Sequence, residues 1–142
     1  MEENYLMPTQ ESGRAFLMRG IKGPVVMLNM LRFRDIADYS DSPELAPDEP
    51  ISGEQAYQLY VNHTIPFLRA SGGEILFMGK GGEFLIGPAG EYWDAVMLIR
   101  QSSVESFIAF ESNKEYMAGI GHRTAALEDS RLLPLIQEYL KQ

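Results

Sequence analysis

His122 and Arg123 stand side by side in "GIGHRTAALEDSR", residues 119–131, ahead of Glu128, Asp129 and Arg131. An imidazole next to a guanidinium could move a proton while holding an anion, because histidine titrates near neutral pH and arginine's planar fork grips a carboxylate or an enolate. Helical spacing separates the two. Tyr116, Ile120, Arg123 and Leu127 recur at i, i+4, i+7 and i+11 and form one apolar stripe, whereas His122 points about 100° away, toward Glu115 and Ala118. Arg123 is therefore the pocket candidate, either binding a ligand oxygen or paired with a buried carboxylate. His122 reads as a rim residue, and Glu128, Asp129 and Arg131 as surface or helix-end charges.

Other polar residues fall among apolar neighbours. Asn29 lies mid-strand in "VVMLNMLRF", where its amide must find a backbone or ligand partner. His63 follows Tyr60 by three positions, so it could act as a general base in the cavity that Tyr60 and Tyr57 help to line; a satisfied boundary histidine is the other reading. Trp93 and Asp94 are adjacent in a strand and point to opposite faces. Trp93 offers an aromatic wall or packing surface, and Asp94 a partner for Arg123 or Arg32. Two histidines 59 positions apart, without a paired ligand motif, give no reason to expect a metal or another cofactor.

The elements that must position these residues can be read in order. Residues 9–20 predict a short accessory helix ending at Gly20, and 24–33 a strand apolar on both faces. Residues 35–52 carry six acids, no base and three prolines, which reads as a solvated acidic insertion or as a lid. Ser52 and Gln55 form a capping box for a helix through Pro66 to Gly72 and Gly73, with a kink expected at the proline. "EILFMGKGGEFLIG" predicts a strand bulged or bent at Gly79, Gly81 and Gly82. It is not a phosphate loop, since Lys80 is followed by glycine and no helix starts there. "YWDAVMLIR" closes a hairpin. Capping boxes at Ser102–Glu105 and Ser112–Glu115 predict two more helical pieces, and "SRLLPLI" a last strand, with Pro134 at an edge or bulge.

The order β, α, β, β, α, β is that of the α+β ferredoxin-like fold, an antiparallel sheet with helices on one face, here as one domain over residues 1–142. Both faces of the first and third strands are apolar, so the face away from the helices needs a cover, and a two-fold homodimer supplies it.

The chain is acidic, with 12 basic against 20 acidic residues and a net charge of -8, which argues against nucleic-acid binding in the absence of a basic patch. Arg32 and Arg34, flanking Phe33, read as a solvated strand rim. No cysteine is present, which excludes disulfides and thiolate chemistry. Neither a secretory start nor a membrane-length apolar run is evident, so a cytoplasmic protein without membrane contact is expected.

"NMLRFR", "GEQAYQLYVNHTIPFLRASGG", "GKGGEFLIG" and the stretch from "YWDAVMLIR" to "LEDSRL" together resemble the domain of unknown function 1330 family, in the dimeric α+β barrel group, over about residues 24–133. The family's Tyr-x-x-Tyr feature matches Tyr57 and Tyr60, its Gly-Gly helix stop matches Gly72 and Gly73, and its serine-to-tyrosine segment before a basic residue matches Ser112 to Tyr116 with Arg123. Gln101 departs from the aromatic or proline-containing strand end expected there, and the acidic insertion and N-terminal helix suggest a subfamily. The resemblance implies fold and dimer rather than a chemistry.

The functional expectation is a small-molecule-binding barrel, in the catalytic case a cofactor-independent isomerase or monooxygenase-like enzyme acting on a carbonyl compound or aromatic acid. Arg123 and Asn29 would hold the oxygen, His63 would move the proton, and Tyr57, Tyr60 and Trp93 would shape the cavity, with Asp94, Arg32 and His122 around it. A non-catalytic sensing module is the alternative. A haem-handling enzyme using asparagine, tryptophan and histidine is a third reading.

Overall fold

The computed structural model describes residues 3–139. Four strands, β1 (Val25–Phe33), β2 (Glu74–Glu83), β3 (Tyr92–Gln101) and β4 (Leu127–Leu135), pair antiparallel in the order β2-β3-β1-β4. Helices α1 (Gln10–Met18), α2 (Gly53–Ala70), α3 (Val104–Glu111), α4 (Lys114–Met117) and α5 (Ile120–Ala126) complete the chain. With β1 and β3 central and α2 and α3–α5 as the two crossovers, this is the ferredoxin-like arrangement expected from the sequence.

Alternation along β1 and β3 sorts the side chains. Val25, Met27, Leu31, Ala95 and Met97 are buried; Leu31, Ala95 and Met97 pack with Tyr57, Tyr60, Val61, Leu68, Phe110 and Tyr116 in one core. Asn29, opposite Met97 in the register, shares that face. On the other face the register aligns Phe77, Leu98, Leu28 and Leu133 in a row across all four strands, and Phe77 and Leu133 are 54% and 52% exposed.

Ser52 and Gln55 cap α2 reciprocally, as expected, and α2 runs through Pro66 as one helix. Its first residue, Gly53, has no room for a side chain: a Cβ there would come within 2.3 Å of the Arg34 carbonyl and 2.6 Å of the Ala126 carbonyl. That close approach locks the start of α2 to the ends of β1 and α5.

Several expectations are corrected. The irregularity in β2 falls between Ile75 and Phe77 rather than at the glycines. α3 is capped by Ser103, whose oxygen accepts the Ser106 N–H, and α4 by Asn113, which accepts from Glu115 and Tyr116; the expected serine boxes are each displaced by one residue. The helix expected through Leu127 breaks at Ala118–Gly119 and ends at Ala126, and β4 begins three residues earlier than "SRLLPLI". Glu128 and Asp129 are thus strand residues. Asp129 is only 3% exposed, because its carboxylate accepts the N–H groups of Tyr5 and Ser130 and holds Arg131 at 2.8 Å.

The acidic segment packs over α5. Ala37 and Asp38 donate their N–H groups to Ile51 and Ala125, and Ala37, Tyr39 and Ile51 rest on the core. α1 buries no residue fully and touches the body through Phe16, edge-on to Phe107, and through Arg19, which donates to the Pro134 carbonyl.

Candidate functional site

α2, α3, α4 and α5 converge on a polar cluster above β3. α2 contributes Tyr57, Tyr60 and Thr64 from one buried stripe, α3 its last residue Glu111, α4 Tyr116 and α5 Arg123. The Tyr60 and Tyr116 hydroxyls are 2.7 Å apart, and the Tyr57 hydroxyl donates to the Met97 sulfur at 3.7 Å. Thr64 has a buried hydroxyl without a hydrogen-bond partner. Arg123 donates to the Leu6 carbonyl at 2.6 Å and the Ser130 hydroxyl at 3.3 Å. Ser130 in turn donates to the Tyr5 carbonyl, so the N-terminal segment straps the guanidinium in place.

The electrostatics follow from burial. Desolvation pushes the phenols of Tyr57, Tyr60 and Tyr116 upward, so all three stay protonated. Glu111 is likewise raised by burial, against the opposing pull of Arg123 and of the Tyr116 hydroxyl. Arg123 acts on all four groups, and among the described residues no carboxylate lies within ion-pair distance of it. The result is a donor-rich cluster: a guanidinium, three neutral phenols, a threonine hydroxyl that acts on Tyr60 and a carboxyl whose pKa burial raises.

The remaining sequence candidates divide between this cluster and other places. Asn29 borders it through Met97 and donates to the Met27 carbonyl at 3.3 Å. His63 sits at its edge with Nε2 directed at the Glu115 and Tyr116 carbonyls, at 2.8 and 3.2 Å. A carbonyl can only accept, so Nε2 carries the proton and His63 fixes the chain entering Tyr116. His122 faces the acidic segment, where its Nδ1 meets the Tyr39 hydroxyl at 2.7 Å; burial, then the charge of His63, lowers its pKa, so the neutral ring accepts.

Asp94 accepts the Phe33 N–H at 2.8 Å and makes no ion pair with Arg123. Arg32 is buried, not a solvated rim: it donates to the Tyr92 carbonyl, approaches Asp129 at 3.9 Å and covers the Tyr92 and Trp93 rings. Trp93 and Arg32 lie on the sheet face away from the helices, with Arg131 also over the indole. Asn29, Trp93 and His63 are therefore not assembled around one space, as a haem site built from the three would require.

Glu111 and Thr64 were not singled out by the sequence. Tyr116 was visible on the stripe of Arg123, but Glu111 ends a short helix among polar neighbours and has no local mark of burial.

The same chain path is found in a known protein. A crystal structure of methylated RPA0582 shares 32% identity over 98% of this chain and 98% of that one, with a TM-score of 0.86. A second crystal structure of RPA0582, a protein of unknown function from Rhodopseudomonas palustris, shares 33% identity over 99% of this chain and 100% of that one, at a TM-score of 0.83. The chain belongs to the RPA0582 family. Coverage of both chains from end to end means that the accessory helix and acidic segment fall within the aligned length of the RPA0582 family fold. No family model matches the chain, and no curated protein matches it.

Proposed function

We propose that the chain binds a small organic acid or carbonyl compound at the Arg123 cluster. We further propose that it does so as a cytoplasmic homodimer paired through the open sheet face, and that the RPA0582 family falls within the domain of unknown function 1330 family. The observation that carries the binding reading is Arg123, a guanidinium with no carboxylate at ion-pair distance among the described residues, facing neutral phenols and a carboxyl whose pKa burial raises. Such a set leaves the guanidinium without a carboxylate at ion-pair distance among the described residues and suits a ligand that brings one. Tyr60, Tyr116 and Thr64 add donors around the ligand oxygen, Asn29 and Tyr57 border the floor, and His63 positions Tyr116.

The test is a saturation-transfer NMR screen of aliphatic and aromatic carboxylic acids against the wild-type protein and Arg123→Met. At least one acid should bind the first and not the second, with the variant's circular dichroism unchanged. Equal binding to both, or no acid bound at all, contradicts the reading.

Glu111 favours a catalytic form of the same site. A carboxyl whose pKa burial raises, within electrostatic reach of a guanidinium, can pass a proton to or from a carbonyl compound without a cofactor. Solvent-deuterium exchange at the carbon beside the ligand carbonyl should then occur with wild-type protein and stop in Glu111→Gln while binding persists. Binding without exchange in the wild type identifies a sensing or carrier module instead.

A further inference from the structure

On the face away from the helices, next to the row of Phe77, Leu98, Leu28 and Leu133, lies a hollow of about 300 Å³. Met30, Val96 and Trp93 form its floor, and Gly81, Gly82, Glu83, Phe84 and Leu85 its rim. A Cβ at Gly81 would come within 2.4 Å of the Trp93 carbonyl, so no larger residue fits where β2 passes β3. At the end of that rim, the β2–β3 turn presents Leu85 at 99% and Ile86 at 90% exposure. One face thus carries both an apolar hole and an apolar knob, which is what a two-fold interface demands: patch i meets patch j, and j meets i. Charge agrees with shape. Glu83, exposed at the base of the knob, is acidic, and Arg131, stacked on the Trp93 ring at 5.0 Å with its side chain 44% exposed, supplies a cation next to the hole.

We infer that in the homodimer the Leu85–Ile86 tip of each copy seats beside Trp93 of the other, with Glu83 meeting Arg131 across the two-fold axis. This rests on the sheet-face pairing proposed above and adds the element that fixes its register. The knob costs exposed apolar surface in the monomer and recovers it only in the pair.

The chain has no cysteine and one tryptophan, so the contact can be read directly. Two single variants, Ile86→Cys and Met30→Cys, are made with tags of different size, mixed, allowed to exchange subunits and oxidised. A mixed disulfide-linked pair is expected, and it can only be intermolecular. In parallel, sedimentation equilibrium compares the wild type with Leu85→Asp/Ile86→Asp and with Leu133→Asp. Both variants should shift toward monomer by at least tenfold in dissociation constant, and the first should make Trp93 more accessible to iodide quenching. If the wild type is a dimer, Leu133→Asp weakens it, and neither the mixed disulfide nor an effect of the tip variant appears, the knob contact is wrong and the sheet pairing stands. A monomeric wild type overturns both.

Discussion

The hydroxyls of Tyr60 and Tyr116 lie 2.7 Å apart between α2 and α4, and both rings are buried. One hydroxyl donates to the other, which leaves the acceptor's own proton free for a third group. Tyr60→Phe strands the Tyr116 oxygen and should destabilise the fold by about 1–3 kcal/mol. Adding Tyr116→Phe removes the stranded group, so the double variant should be more stable than the sum of the two singles. Urea unfolding of the four proteins in a double-mutant cycle measures this coupling.

Glu111 should cost stability where it is ionised. Its folded pKa lies above the ordinary value of 4.5, so the native state holds its proton more tightly than the unfolded chain. Stability attributable to the group is therefore greatest below 4.5 and declines as pH rises through the folded pKa. Glu111→Gln should raise Tm at neutral pH and change it little at pH 4; scanning calorimetry across that interval shows whether the gain has this sign.

Asp129 works the other way. Burial pushes its carboxyl up, but the Tyr5 N–H, the Arg131 guanidinium and the Ser130 N–H together outweigh that and hold it below 3.8. A depressed carboxylate stabilises above its unfolded pKa, and the contribution is lost as pH falls below 3.8 through the folded value. Asp129→Asn keeps the shape and removes the charge, and should cost about 2–4 kcal/mol at pH 7 by weakening the anchorage of both Arg131 and the N-terminal strap. Denaturant unfolding checks the loss, and faster hydrogen exchange at Tyr5 checks its location.

His122 carries the link to the acidic segment. Its folded pKa is below 6.5, so the Tyr39 contact belongs to the neutral ring, and its contribution fades as pH falls below 6.5 through the folded pKa. Tyr39→Phe deprives the neutral ring of its donor and should raise the His122 pKa toward 6.5, as followed by NMR titration of its ring protons.

Much of the fold was legible because it is written locally. The apolar run of β1, the Ser52–Gln55 capping box and the glycines after α2 each act within a few residues and came out as read. β4 was misread at its start because Leu127 continues the helical stripe of Tyr116, Ile120 and Arg123. What ends the helix is distant: Leu127 pairs with Phe33, and Asp129 receives the Tyr5 N–H from the far end of the chain. The site divides in the same way. Arg123 pointed inward by periodicity alone, and Tyr57 and Tyr60 by theirs. Glu111 joins them only because α4 brings Tyr116, and α5 Arg123, within electrostatic reach, and Trp93 left the group although it shares the parity of Ala95 and Met97, because at the start of β3 its indole lies under Arg32 and Arg131 instead.

The most direct test of the Arg123 cluster as an acid-binding site is native mass spectrometry of the protein as purified and after addition of an acid selected in the NMR screen. A dimer gaining one acid per chain, with the gain abolished in Arg123→Met but retained in Trp93→Phe, is the predicted result. An adduct that survives in Arg123→Met, or disappears in Trp93→Phe alone, would place binding elsewhere and contradict the account.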